Sequence, residues 1–224
     1  MDLFEAMATT RAIRRFTREP VSDDDLAAIF FAASRAPSGS NRQPFRFLVL
    51  RDGPRAQDAK ALLGESFRAG WRAKQTEMFE GADGDTPRAR MARAMQYFVD
   101  HFEDIPVVVL ACLVRYRGAT PTEGGSVYPA CQNLLLAARA RGLGGVITMW
   151  HAFVEKDLRR LLDIPAEAAI HATIPIGHPQ GRHGPLRRRP VEELVYDDAW
   201  AAPAEWARAE RYPGLARLLP GATS

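Results

Sequence analysis

The chain has 224 residues and a mass of 24.8 kDa, of which 46% are hydrophobic and 25% charged. This composition is typical of one globular domain with a full core. The net charge of +3 is too small to predict nucleic-acid binding, and the longest apolar run, residues 105–114, is about half of a membrane-spanning helix, so we expect no membrane partner.

Hydrophobic periodicity predicts the secondary structure in chain order. Helices are predicted over residues 2–16, 22–35, 54–80, 88–101, 126–141 and 154–162. Strands are predicted over residues 45–50, 105–114, 144–150 and 169–176. Ser22 with Asp25 resembles a capping box for the second helix, and Gly142 is placed to end the fifth. Because two helices precede any strand, the pattern indicates an α+β fold.

Cysteine usage and the N-terminal residues bear on the chemistry and the compartment. Cys112 and Cys131 lie in apolar segments outside any CxxC motif, so we expect both in the core and no disulfide scaffold. The five histidines are scattered, which predicts no metal site. Residues 1–5 carry two acids and do not resemble a signal peptide, so we expect a cytoplasmic protein.

Three polar clusters are candidate functional sites. Arg11 and Arg14, near the end of the first predicted helix, would present two guanidinium groups on one face, where they could hold a phosphate. Residues 37–44 form a loop whose amides could bind a planar heterocycle. The run from Arg187 to Arg189 is a second candidate anion site. Each cluster also has an ordinary reading as solvated surface, and spacing alone leaves both readings open.

Taken in order, these clusters resemble the nitroreductase family of flavin enzymes. The resemblance rests on Arg-x-x-Arg-x-Phe at residues 11–16, the loop at 36–45, Gln-Asn-Leu-Leu-Leu-Ala-Ala at 132–138 with Gly-Leu-Gly at 142–144, and Ile-Gly-His-Pro at 176–179 followed by Arg-Arg-Arg-Pro at 187–190. The motifs span residues 10–195. The chain departs from the pattern at Thr10 and Ala12, where many members have Arg and Ser, and at Phe45, where Trp is usual.

The resemblance implies an α+β fold with a central, mostly antiparallel sheet surrounded by helices, in an intertwined homodimer. It implies an FMN-binding domain over residues 1–195 and a C-terminal extension over residues 196–224, which we expect to wrap the partner subunit. It also implies ping-pong chemistry, in which NADH or NADPH delivers a hydride to FMN and a small-molecule acceptor, such as a nitroaromatic or a quinone, then takes the electrons. No catalytic side chain is needed, because the flavin carries the chemistry.

The resemblance further implies which residues bind FMN. Arg11 and Arg14 would hold the phosphate and the pyrimidine side of the flavin, and Arg14 would tune its potential. The loop residues would come from the partner subunit, and the loops at 64–100 and 115–125 would shape the substrate face. The residues implied as cofactor-binding are Arg11, Ala12, Arg14, Pro37, Ser38, Gly39, Asn41, Gln43, Thr148, Met149, Trp150, Arg187 and Arg189.

Three alternatives stay open at this level. A flavin-cleaving branch of the same fold consumes reduced FMN to make the lower ligand of cobalamin. A non-catalytic protein could store or bind flavin, and a binding module could recognise an acidic partner through its arginines. Flavin content after turnover and the oxidation of NAD(P)H distinguish them.

Overall fold

The computed structural model describes residues 1–181 and 184–208. They fall into two units: residues 12–181, and a second unit that joins residues 1–11 to residues 184–208. The helices of the described residues are α1 (Leu3–Thr9), α2 (Asp23–Ser34), α3 (Pro54–Met78), α4 (Pro87–Asp100), α5 (Tyr128–Ala140) and α6 (Glu155–Leu161). The strands are β1 (Phe45–Leu50), β2 (Val107–Val114), β3 (Gly144–Gly145) and β4 (Ala168–Gly177).

The larger unit is built on one four-stranded sheet with the order β1-β2-β4-β3. Each neighbouring pair is antiparallel, and β2 pairs with β1 over residues 108–113 and with β4 across a bulge between Ala111 and Cys112. Helices cover both faces of the sheet. This arrangement confirms the predicted α+β fold with an antiparallel sheet.

Strand β2 contributes to two cores at once. Val108, Leu110 and Cys112 pack on one face with side chains of α3 and α4, whereas the odd-numbered residues from 107 to 113 pack on the other with α2 and α5. Successive side chains of a strand point to opposite faces, so a strand that is covered on both sides must be apolar at every position. The unbroken apolar run in the sequence follows from this burial.

The predicted helix ends are confirmed where a capping residue marked them. The hydroxyl of Ser22 accepts a hydrogen bond from the backbone N–H of Asp25 at 3.0 Å and begins α2. Beyond α5, Gly142 has φ of +78°, a conformation that glycine adopts without the steric cost of a Cβ.

The prediction of a first helix over residues 2–16 was wrong, because α1 ends at Thr9. At the end of α1 the hydroxyls of Thr9 and Thr10 donate to the backbone carbonyls of Glu5 and Ala6, both at 2.7 Å. Residues 12–16 are extended and pair with the larger unit's own backbone. Arg11 and Arg14 therefore do not share a helix face, and the helical spacing argument for a phosphate site fails.

The prediction of a strand over residues 144–150 was also too long. Strand β3 has two residues, after which the chain pairs with β4 again only at Thr148, opposite Thr173. A 3-10 turn, Trp150–Phe153, follows. In this turn the His151 side chain is buried and lies within hydrogen-bond distance of the carbonyl of Ile170.

The second unit holds α1 and the segment that follows residue 183. The side chain of Asp2 caps α1, and the backbone N–H of Leu186 donates to the carbonyl of Ala8 at 2.9 Å. Further along, Tyr196 pairs with Pro203. Residues 209–224 of the predicted partner-wrapping extension lie outside the described residues. No helix of the described residues is long and apolar enough to cross a membrane.

Candidate functional site

Arg14 lies on an extended strip, residues 12–16, that runs beside β3. The backbone N–H of Ile13 donates to the carbonyl of Gly145 at 3.0 Å, and Phe16 pairs with Pro179 at the other end. A Cβ on Gly144 would lie 2.5 Å from Cγ1 of Ile13. Gly144 is needed because the strip approaches the strand this closely.

The guanidinium of Arg14 is half-buried and has no acidic partner among the described residues. Burial lowers the pKa of Arg14, although an arginine stays charged at any physiological pH. The side chain borders a cavity of about 150 Å³. The one carboxylate that lines this cavity, Asp104, is bound to Arg18 at 2.8 Å. Arg14 is thus a partly desolvated cation that lacks an anion.

The residues around Arg14 hold the strip in place. The side-chain amide of Gln180 donates to the carbonyl of Phe16 at 2.7 Å and lies within hydrogen-bond distance of the Tyr97 hydroxyl. The guanidinium of Arg15 stacks over the Tyr97 ring, 4.7 Å from its centroid. These contacts fix the backbone that follows Arg14 without using its own side chain.

The loop at residues 37–43 is exposed and has an unusual backbone. Ser40, Asn41 and Gln43 have φ values of 52°, 50° and 49°, a left-handed conformation that costs non-glycine residues of the order of 1 kcal/mol or more each. The hydroxyl of Ser38 holds this shape, because it accepts a hydrogen bond from the backbone N–H of Gln43 at 2.9 Å. Such strain is typical of segments that are preorganised for a ligand.

The side chains of the segment from Thr148 to Trp150, which follows β3, differ in their surroundings. Thr148 is fixed to Thr173 by backbone hydrogen bonds in both directions, each of 2.9 Å. Met149 is 43% exposed, whereas the Trp150 ring packs edge-on against Phe67 with centroids 5.0 Å apart. The Met149 side chain is therefore exposed to a ligand, the Thr148 hydroxyl is bound to the Thr173 carbonyl at 3.0 Å, and the Trp150 ring packs on the core.

His151 is a buried residue of this region that sequence reasoning missed. Its Nε2 lies 3.1 Å from the carbonyl of Ile170, and its Nδ1 lies 3.2 Å from the hydroxyl of Thr173. Burial lowers the pKa of His151 and so favours the neutral ring. The neutral ring donates from Nε2 and accepts at Nδ1 from Thr173, which orients the residue that pairs with Thr148. No motif marks His151 among the five histidines of the chain.

The remaining cations assigned to the cofactor lie in the second unit. Arg11, Arg187 and Arg189 are exposed, and none has an acidic partner among the residues that the structure describes. Gly184 approaches Arg11 closely, since a Cβ there would lie 3.6 Å from its Nη1. These three arginines are thus free to bind an anion.

The two thiols are not nucleophiles. Cys112 and Cys131 are buried, and burial raises their pKa values to about 11 and about 12. Both are free cysteines, which confirms the prediction that they belong to the core.

Comparison with known proteins identifies the fold and then the family. The structure resembles an iodotyrosine deiodinase solved with FMN and 3-iodo-L-tyrosine, with a TM-score of 0.65 and 25% identity over 89% of this chain and 100% of that one. It also resembles an FMN and NADPH-dependent nitroreductase from Sphigopyxis sp. strain HMH, with a TM-score of 0.68 and 23% identity over 89% and 100%. The nitroreductase family model matches residues 7–178, and the chain belongs to that family.

Curated relatives cover most of the chain but differ in activity. An iodotyrosine deiodinase from Thermotoga neapolitana is 26% identical over 86% of this chain and 95% of its own length. An NADH dehydrogenase from Thermus thermophilus is 28% identical over 87% and 95%. A 5,6-dimethylbenzimidazole synthase from Rhodospirillum rubrum is 30% identical over 82% of each chain. The relatives thus share the family but catalyse different reactions, so membership of the family does not by itself assign the reaction.

Proposed function

We propose that this protein is an FMN-dependent oxidoreductase that uses NADH or NADPH to reduce nitroaromatic, quinone or related acceptors by a ping-pong mechanism. The observation that carries the proposal is Arg14, a half-buried guanidinium that has no acidic partner in the described part of the chain and is held beside β3 by backbone pairing. The FMN-bound structural relative and the NADH dehydrogenase among the curated relatives support the cofactor and the reductant.

The donor set of the described residues fits FMN. Arg11, Arg187 and Arg189 are exposed, and no described acid pairs with them, which suits a phosphate, so we assign the phosphate to them. We assign the pyrimidine side of the flavin to Arg14, beside the backbone of Ala12. Thr148, Met149 and the backbone of Trp150 would face the ring system, and Pro37, Ser38, Gly39, Asn41 and Gln43 would reach it from the partner subunit.

The chemistry needs little from the protein beyond binding and charge. Bound FMN supplies hydride transfer in both half-reactions. Arg14 places a positive charge where the reduced cofactor accumulates negative charge, and its partial burial strengthens that interaction because the local dielectric is low. Thr148 is held rigidly by Thr173 and so keeps the neighbouring backbone in one position.

A homodimer belongs to the same proposal. The three apolar side chains Leu3, Phe4 and Met7 of α1 are 59%, 60% and 48% exposed, and a patch of this kind on a short helix is typical of an interface. We also propose that residues 1–195 form the FMN-binding domain and that residues 196–224 wrap the partner. The exposed rings of Trp200 and Trp206 in the described part of that extension suit this role.

Flavin cleavage is the second candidate, because the 5,6-dimethylbenzimidazole synthase is a relative at 30% identity. The two reactions differ in the fate of the cofactor. Total flavin, extracted and quantified after many turnovers in air, stays constant for an acceptor reductase. A loss of flavin that matches the reductant consumed would assign the cleavage reaction instead.

The direct test is spectroscopic. We expect the purified protein to show the visible absorption bands of a flavin, to bleach under anaerobic NADH or NADPH, and to recover its colour when a nitroaromatic or a quinone is added. Bands that persist with both nucleotides would indicate a flavin-binding protein without turnover, and a colourless protein that ignores added FMN would contradict the proposal.

Arg14→Ala tests the site itself. Removal of a charge-assisted contact worth about 1.5–3 kcal/mol weakens binding by roughly 10- to 150-fold, so we expect this variant to lose FMN on gel filtration. Arg55→Ala is the matched control, because Arg55 pairs with Asp163 on the surface and both side chains are exposed. Equal flavin occupancy in the two variants would show that Arg14 does not bind the cofactor.

A further inference from the structure

A second cavity of the larger unit lies where the 37–44 loop meets the segment that follows β2. Its volume is about 190 Å³, and its walls include Gly39, Arg42, Tyr116, Arg117 and Thr120. An engineered apolar cavity of roughly 150 Å³ holds benzene, so this cavity has room for one substituted aromatic ring. Gly39 and Arg42 belong to the loop that the proposed function places against the flavin.

Two arginines of this cavity stack on the same ring, that of Tyr116. The guanidinium carbons of Arg42 and Arg117 lie 4.2 Å and 5.3 Å from the centroid of the Tyr116 ring. Neither arginine has an acidic partner among the described residues. Stacking on Tyr116 orders both side chains and leaves their N–H groups able to donate to an anion.

The acid in the wall of this cavity is already neutralised. Glu123 accepts two hydrogen bonds from Arg115, at 2.9 Å and 2.5 Å, and one of its oxygens lies 3.3 Å from Nε2 of His171. The Arg115 guanidinium holds the pKa of Glu123 below its usual value, so the pair stays charged and balanced. Arg42 and Arg117 therefore give this cavity a net positive charge.

We propose that this cavity binds the carboxylate of the electron acceptor, so that the preferred substrates are planar aromatic acceptors that carry a carboxylate. Arg42 and Arg117 hold the anionic group, and the hydroxyls of Thr120, Thr122 and Ser126 supply further polar contacts along the wall. This inference rests on the proposed function, because that function places the 37–44 loop beside the flavin.

The test compares two acceptors that differ in charge. We expect the KM of the holoprotein for 4-nitrobenzoate to be about tenfold lower than for 4-nitrobenzyl alcohol, and the advantage to shrink as salt screens the arginines. Isothermal titration of the oxidised holoprotein with each compound measures the same preference without turnover. Equal KM values and equal affinities for the two compounds would overturn the inference.

Variants locate the effect. Arg117→Gln is expected to raise the ratio of the 4-nitrobenzoate KM to the 4-nitrobenzyl alcohol KM about tenfold, and Arg117→Lys to restore part of the preference because it keeps the charge. Arg55→Gln, a surface control, leaves the ratio unchanged. If Arg117→Gln left the ratio of the two acceptor KM values unchanged, a site for the acceptor carboxylate would be contradicted. A variant that altered only the KM for NADPH or NADH would contradict it as well.

The outcomes separate the two proposals. A protein that carries flavin and turns over, but treats both acceptors alike, retains the proposed function and refutes the carboxylate site. A protein without flavin or NAD(P)H oxidation refutes the proposed function. In that case binding of 4-nitrobenzoate in preference to the alcohol, and its loss in Arg117→Gln, would still support an anion site in this cavity.

Discussion

Lys60 is a buried charged residue of the larger unit whose charge is satisfied by specific partners. Lys60 is 4% exposed, and its ammonium donates to the carbonyls of Ile105 and Pro106 at 2.7 Å and 3.2 Å. Burial lowers the pKa of Lys60, but the two carbonyls satisfy its charged form. The half-buried Arg14 has no such partner among the described residues, which is why we propose that it meets a ligand.

Lys60→Met tests this structural role. The methionine fills similar volume but leaves two carbonyls without a donor, so we expect the free energy of unfolding to fall by about 1–3 kcal/mol in urea titrations. Lys74→Met is the control. Its ammonium lies 5.3 Å from the centroid of the Trp150 ring, and the loss of this contact should cost about 1 kcal/mol or less. Equal losses in both variants would contradict the role assigned to Lys60.

His151 predicts a pH dependence of stability. Its pKa is lowered in the folded protein by burial, so below the unfolded pKa of about 6.5 the unfolded chain binds more protons than the folded one. The unfolding free energy should therefore fall as pH decreases from 7 towards 5. His151→Gln keeps a donor for the Ile170 carbonyl without titrating, and urea titrations at both pH values should show a weaker dependence in this variant. An unchanged dependence would show that His151 is not its source.

At the scale of elements, the sequence predicts those whose pattern is local. Most elements are found close to the predicted bounds, namely helices α2 to α6 and strands β1, β2 and β4. Their caps, turns and apolar periodicity depend only on residues that are near one another in the sequence. The first helix and the strand at 144–150 were wrong, because tertiary pairing decides them. Residues 12–16 are drawn into extended pairing with Gly145 and Pro179, partners more than 100 positions away.

The candidate site shows the same division. The residue types at Arg14 and in the 37–43 loop are visible in the sequence, whereas the half-burial of Arg14 and the left-handed backbone of the loop are not. The contacts of His151 with Ile170 and Thr173 and the stacking of Arg42 on Tyr116 depend on the packing of distant segments. The site assignments themselves stay predictions until flavin binding is measured.

Gly145→Ala tests the strip beside β3. An added Cβ would lie 2.7 Å from the carbonyl oxygen of Pro175, a backbone atom that cannot move away cheaply. We expect the unfolding free energy to fall by roughly 1–3 kcal/mol, because the added Cβ would push β3 away from β4. Flavin occupancy should fall with it, because the strip that carries Arg14 is hydrogen-bonded to the Gly145 carbonyl through the N–H of Ile13. Gly125→Ala, where nothing lies within 4 Å of the added Cβ, is the control. Full flavin occupancy in Gly145→Ala would separate the strip from the cofactor.

At the scale of the whole molecule, the proposed dimer links assembly to cofactor binding. If the 37–43 loop reaches the flavin of the partner subunit, a monomer lacks half of each site. Glutamate in place of both Leu3 and Phe4 adds charge to the exposed apolar face of α1. We expect this variant to elute as a monomer in light-scattering chromatography and to lose FMN at the same time.

A single substitution, Met91→Glu, is the control for that experiment. Met91 is 44% exposed on α4, away from α1 in the sequence, and should leave the oligomeric state unchanged. A Leu3→Glu, Phe4→Glu variant that remains a dimer would exclude α1 from the interface. A monomer that keeps its FMN would contradict the partner's contribution to the site.

The position of β2 has a consequence for how the molecule opens. The strand is buried on both faces and bonded along both edges, by β1 and by β4. Its backbone amides can therefore meet solvent deuterium only when the sheet as a whole comes apart, and their exchange rates report global rather than local opening. Cofactor that binds the folded chain alone would slow exchange at β2 in proportion to its affinity. Hydrogen exchange at the innermost strand would then report cofactor occupancy through the global stability of the chain.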